Sequence, residues 1–269
     1  MEIIKVIILG IVEGLTEFLP VSSTGHLILV SRFLSLEGQF NDIFNIVIQS
    51  GAIVAVIVYF WKKIVPPIPK KNDKDGNIKF KNYINLWLKV VVAVIPAGVI
   101  GLLFEDQIEK VLFKPIPVAI ALIVGAIMLL IIERKPRPIK VTHEDQITYK
   151  KAFLVGVFQC MALIPGMSRS ASTIIGGLIL GFKRSVAAEF SFFLAIPVIL
   201  GASLVKLLKV GFSFTSFEYL LLAIGTVVSF VVAYGVIAVF MNFIKKHDFK
   251  VFAYYRIVLG VIVLISSFL

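Results

Sequence analysis

The sequence predicts an all-α polytopic membrane protein with six transmembrane helices and two re-entrant helix hairpins, arranged as an inverted-topology repeat. Three observations predict it: an apolar composition, uncharged runs of bilayer length, and two polar breaks that recur at a fixed offset. Apolar residues make up 59% of the 269 and charged residues 16%, with a mean hydropathy of +0.99. A soluble chain runs nearer about half apolar and about a quarter charged.

Crossing the hydrocarbon takes roughly 20 apolar residues at about 1.5 Å each. Six stretches meet that need: 41–61, 86–104, 116–132, 186–208, 218–242 and 252–268. Residues 3–36 and 152–182 do not, because a polar patch splits each. The first breaks at Pro20-Val-Ser-Ser-Thr-Gly-His26 and the second at Pro165-Gly-Met-Ser-Arg-Ser-Ala-Ser-Thr173. Arms of roughly 12–17 residues, about 18–25 Å of helix, fall short of a bilayer core. Each region therefore reads as a hairpin whose tip lies at membrane depth, where irregular backbone is tolerated only inside protein or beside a wet cavity.

An internal repeat organises the single membrane domain, 1–269, into halves of about 1–135 and 147–269. A shift of 146 lays Gly10-Ile-Val-Glu13 on Gly156-Val-Phe-Gln159, Ser22-Ser-Thr24 on Ser168-Arg-Ser170, and Phe44-Asn45 on Phe190-Ser191. A shift of 135 pairs Gly125 with Gly260. One hairpin plus three spans per half inverts the second half, a known way to build a site near the midplane.

The net charge of +11 would suit a nucleic-acid binder, but the cations cluster between spans. Seven lysines lie in 62–85, six Lys or Arg in 133–151 and three in 243–250, all on one side with Lys183 and Arg184. On the other side Glu105, Asp106 and Glu109 offset Lys110 and Lys114, with Lys206 and Lys209. The first side is expected to be cytoplasmic, both termini and the mouth of the first hairpin facing outward. Residues 62–85 read as a cytoplasmic loop. The lone Cys160 excludes an internal disulfide, and no zinc spacing exists. The N-terminal stretch shows no cleavage site and does not read as a removable signal peptide.

Glu13 and Glu17 share a helix face, and ionisable groups inside an apolar hairpin mark function. They suit a hard divalent cation, Mg²⁺ or Ca²⁺; an acid pair simply neutralised by Arg169 is the alternative. In Ser22-Ser23-Thr24-Gly25-His26 a hydroxyl can cap the second arm, while Ser23 and His26 can act as nucleophile and base. Arg169 offers a planar fork to phosphate oxygens. Ser168, Ser170, Ser172 and Thr173 add hydroxyls, and a helix starting near Ser168 aims its amides at an anion.

With these motifs in view, the sequence resembles the bacterial undecaprenyl-diphosphate phosphatase family, also described as bacitracin-resistance proteins. Glu13 to His26 match an E-G-x-T-E-F-L-P-V-S-S-T-G-H signature and Pro165 to Ser170 a P-G-x-S-R-S signature, in a resemblance that covers essentially the whole chain. It implies hydrolysis of undecaprenyl diphosphate to the monophosphate, a divalent-metal requirement, and a site open to the outer face of the bacterial cytoplasmic membrane. Its implied functional positions are Glu13, Glu17, Ser22, Ser23, His26 and Arg169.

The candidate catalytic residues are thus Glu17, Ser23, His26 and Arg169. Ser22, Thr24, Ser168, Arg169, Ser170 and Thr173 are the candidates for holding substrate, and Glu13 and Glu17 for the metal. Two attacks fit, by Ser23 with His26 taking its proton or by water activated by His26. The partners expected are a polyprenyl diphosphate and the bilayer, with no nucleic acid and homo-oligomerisation left open. A transporter or flippase for an anionic polyprenyl lipid or phosphate is the rival reading.

Overall fold

A computed structural model of the chain describes residues 1–34, 36, 38–66, 74–135, 137–210 and 214–268. Apart from short turns and one isolated bridge, the described residues are helical. All six apolar stretches fold as helices. They correspond to α3 (Gly38–Tyr59), α5 (Lys74–Leu112), α6 (Pro115–Arg134), α9 (Arg184–Val210), α10 (Ser216–Ile244) and α11 (Lys250–Ser266), with α3 and α11 each ending two residues short of the apolar run and a short α4 (Trp61–Ile64) after α3. The two interrupted regions form helix pairs: α1 (Glu2–Thr16) with α2 (Ser23–Leu34), and α7 (Tyr149–Gln159) with α8 (Arg169–Ile179).

Starts and stops follow the local chemistry. Thr215 and Glu218 close a capping box on α10, Thr148 caps α7, and Pro115 opens α6 where its missing amide costs nothing. Gly181 ends the chain's run through α8 at φ 80°, and an added Cβ there would meet the Pro138 carbonyl at 2.9 Å.

Four segments are long and apolar enough to cross a membrane: Phe80–Phe104, Pro115–Arg134, Arg184–Lys209 and Ser216–Ile244. Ile43–Tyr59 is a shorter apolar helix. Leu88, Val91, Ile95, Val227, Val231 and Val258 expose their side chains on outward faces, while phenylalanines 18, 44, 190, 192 and 193 fill the interior. Apolar residues outside as well as inside are what a polytopic membrane protein requires.

One expectation needs correction. Residues 62–85 are not a continuous loop: α4 includes 62–64 and α5 begins at Lys74, while 67–73 lie outside the described residues. Phe80, Tyr83 and Trp87 recur at helical spacing and contact in sequence at ring separations of 6.4 Å, and Tyr149 donates to Asn85 Oδ1 at 2.6 Å. The lysines hid this stripe.

Helices meet backbone to backbone through glycine, the device membrane helices use when hydrophobic driving force between them is lost. A Cβ on Gly10 or Gly14 of α1 would lie 2.8 or 2.7 Å from the Gly225 or Ser229 carbonyl of α10. On Gly156 of α7 it would lie 2.2 Å from the Ala93 carbonyl of α5. Gly10 and Gly156 are the pair that the 146-residue shift superposes.

At the charged ends, Glu133 at the close of α6 accepts from Arg184 Nε at 2.9 Å, from Arg184 Nη2, and from the Phe249 amide at 3.1 Å. One carboxylate so ties α6, α9 and the start of α11. Lys63 bridges Glu144 at 2.7 Å and Glu189 at 2.9 Å. Burial is the largest single influence on the Glu144 carboxylate and pushes its pKa up, but the Lys63 bond and charge together with a backbone hydrogen bond outweigh it and hold the pKa below the ordinary value.

Two expected outcomes follow from this packing. Gly156→Leu cannot be accommodated without parting α7 from α5, at a cost of about 1–3 kcal/mol. Gly201→Ala enters open space. Thermal unfolding in detergent should show the first melting well below wild type and the second at or above it. For Glu144, a depressed pKa means stability present above the unfolded value, near about 4.3, and lost as pH falls through the folded one. Glu144→Gln should therefore melt below wild type at neutral pH, and the gap should close in acid.

Candidate active site

Two serines set the geometry. Ser22 and Ser168 are the described non-glycine residues with positive φ, at 72° and 69°, a region that side chains avoid and that gathers at functional sites. Each directly precedes a helix and caps it: Ser22 Oγ accepts from the Gly25 amide at 3.4 Å and Ser168 Oγ from the Ala171 amide at 3.2 Å. The 146-residue shift superposes them.

From the second tip Arg169 reaches the first. Its Nη2 donates to Glu17 Oε1 at 3.1 Å, and its Nη1 to the Ser191 carbonyl at 2.8 Å and hydroxyl at 3.3 Å. The guanidinium lies 5.8 Å from the Phe18 ring centre, and its Nε is buried without a partner. The Ser23 hydroxyl donates to the other oxygen of Glu17, Oε2, at 3.0 Å. One turn earlier Glu13 is fully buried, and neither of its carboxylate oxygens has a hydrogen-bond partner.

Glu13, Glu17, Ser23 and Arg169 therefore gather, and the expected hydroxyls behave differently. Ser170 donates to the Leu19 carbonyl at 2.9 Å, docking one tip on the other. Ser172 donates to the Ser168 carbonyl at 2.8 Å. Thr173 lies 2.7 Å from Ser191 Oγ. These groups build the tip more than they face a ligand. Thr24 is half-buried in the first turn of α2.

His26 departs from the expected pairing. Its Nδ1 lies 2.8 Å from the Ser22 carbonyl and its Nε2 2.6 Å from the Tyr255 hydroxyl. The hydrogen of Ser23 points to Glu17, so the carboxylate and not the imidazole is placed to receive it.

Several neighbours were not singled out in the sequence. Ser191 occupies the repeat position of Asn45, which is where a signal existed. Gln159, the repeat partner of Glu13, is buried with both amide atoms unpaired. Arg256 is fully buried on α11 and donates to the carbonyls of Leu122 at 3.2 Å and Gly166 at 3.1 Å, bracing the second tip. A charge inside the apolar stretch 252–268 was its signal. Tyr255 had none.

The unpartnered Glu13 oxygens beside Glu17 suit a divalent cation bound by oxygen. The described residues hold no cluster of three or more His, Cys, Asp or Glu side chains, so such an ion would take its other ligands from water or phosphate, as Mg²⁺ commonly does.

Comparison with known proteins places this chain in a family. A family model described as "Bacitracin resistance protein BacA" matches residues 6–262. The chain is 56% identical to "Undecaprenyl-diphosphatase 1" of Clostridioides difficile (strain 630), over 100% of this chain and 97% of that protein. It is 51% identical to "Undecaprenyl-diphosphatase" of Enterococcus faecalis, over 99% and 97%. The same identity, 51%, holds to the protein of that name from Desulfitobacterium hafniense, over 98% and 95%. The chain belongs to the bacitracin resistance protein BacA family.

Proposed function

We propose that the chain hydrolyses undecaprenyl diphosphate to undecaprenyl phosphate and inorganic phosphate at the outer face of the cytoplasmic membrane, recycling the cell-wall carrier lipid and giving bacitracin resistance. The observation that carries this reading is Glu17 held between Arg169 and the hydroxyl of Ser23, in a chain half identical over its length to proteins named undecaprenyl-diphosphatase. The proposal takes the two helix pairs as re-entrant hairpins of an inverted repeat, with their tips near the bilayer midplane. The cation clusters at 133–151 and 243–250 support placing the opposite, tip-opening side outward.

In the mechanism we favour, the terminal phosphoryl group sits against Arg169, whose fork neutralises charge on its oxygens. Ser23 Oγ attacks the terminal phosphorus as its proton passes to Glu17. The bridging P–O bond breaks, and undecaprenyl phosphate leaves with the electron pair. Water then attacks the phosphoserine, the Oγ–P bond breaks as Glu17 returns its proton to Ser23 Oγ, and dihydrogen phosphate leaves with the water's oxygen and hydrogens. Glu13 and Glu17 would hold a divalent cation, which supplies further positive charge to phosphoryl oxygens. Most of the rate in such transfers comes from positioning and electrostatics, and the strained, capped tips supply the positioning.

Phosphate release from undecaprenyl diphosphate by the purified protein in detergent tests the reading. Release should stop with EDTA and fall about 10²–10⁴-fold in Glu17→Gln. Binding without release by folded wild-type protein would instead favour a flippase for the anionic lipid. Ser23 has its own test: a phosphoserine trapped by rapid quench, absent from Ser23→Ala. Hydrolysis that continues at wild-type rate in Ser23→Ala would assign the attack to water.

A further inference from the structure

His26 is placed by two contacts, and together they fix its chemistry. The Ser22 carbonyl can only accept, so at 2.8 Å it requires a hydrogen on Nδ1. In a neutral ring Nε2 then carries the lone pair, and the Tyr255 hydroxyl 2.6 Å away must donate into it. The two rings also lie nearly parallel, 11° apart with centres at 5.5 Å. The Ser22 carbonyl thus sets the tautomer from within the first hairpin, and Tyr255 fixes the tilt and fills Nε2 from outside it.

We infer that Tyr255 of α11 is a positioning residue for the reaction, acting through His26, whose Nε2 it occupies and whose ring it orients. The inference rests on the phosphatase reading for its kinetic consequence. It explains why His26 does not pair with Ser23, whose hydrogen is committed to Glu17. It also gives the pair two states. With a neutral imidazole, the phenol hydrogen lies on Nε2. When the ring gains a proton there, Nε2–H donates to the phenol oxygen and the phenol hydrogen is released to another acceptor. Tyr255 is 48% exposed, so an anionic ligand oxygen can be that acceptor. The second hairpin has no equivalent, because the 146-residue shift places Ser172 opposite His26.

The test uses the full chain in detergent, labelled with ¹⁵N-histidine in a His143→Gln/His247→Gln background. Since the chain holds three histidines, the imidazole signals then report His26 alone. The expected spectrum is an Nδ1–H tautomer with an unprotonated Nε2. Tyr255→Phe keeps the ring and removes the donor, so the Nε2 resonance should move. Phosphate release by the same variant should show kcat lowered about three- to tenfold with KM nearly unchanged. In a His26→Asn background Tyr255→Phe should cost nothing further, as expected of a residue that acts only through the imidazole. An unmoved Nε2 resonance would overturn the inference, as would an equal loss of kcat in the His26→Asn background. The nitrogen spectrum decides the contact without turnover, so failure of the phosphatase reading, seen as no release by wild type, is told apart from failure of this one.

Discussion

Arg169 and Glu17 come from opposite hairpins, and neither could sit where it does alone. An isolated charge at membrane depth is expensive, and removing one partner of a buried pair strands the other at a cost of about 3–5 kcal/mol. Here the pair is satisfied at 3.1 Å and extended on both sides. Ser191 completes the guanidinium and Ser23 completes the carboxylate. The same contact that joins the two tips thus gathers the groups suited to phosphate chemistry. An anion arriving at Arg169 meets a cation already paired, so binding exchanges one anionic partner for another. The guanidinium need not be bared on the way.

The remainder of the fold keeps that pair in register. Glycine contacts let α1 lie on α10 and α7 on α5 with backbones almost touching, which leaves little room for sliding. Away from the tips, Glu133 draws three helix ends together, and Arg256 reaches from α11 to the Gly166 carbonyl within the second tip. Glu133 fixes helix ends, and Arg256 holds the second tip from behind.

Much of this was legible in the sequence for identifiable reasons. Apolar runs announce membrane helices because lipid imposes a length and a composition, and the breaks at Pro20 and Pro165 announce tips because a polar interruption has few places to go. Glu13, Glu17 and Arg169 stood out because buried charge is costly. What could not be read was who holds whom. Ser23 sits three residues from His26 and six from Glu17, and spacing favours the nearer partner; the positive φ at Ser22 turns the chain so that the farther one receives the hydrogen. Tyr255 is 229 positions from His26, beyond any local pattern. The helical start of α5 was missed because its lysines outweigh the aromatic stripe beside them.

The strained serines bear on how the molecule is assembled. At Ser168, φ 69° and ψ 121° place a side-chain residue where glycine alone is comfortable. Some compensations are local, the Ser168 cap and the Ser172 bond to its carbonyl, while the Ser170–Leu19 bond and the Arg169–Glu17 pair cross from one hairpin to the other. Either hairpin alone would lack the bonds that cross. The full constellation belongs to the docked pair of hairpins and to neither alone, so whatever parts the two tips dismantles the site and the seam between the halves together.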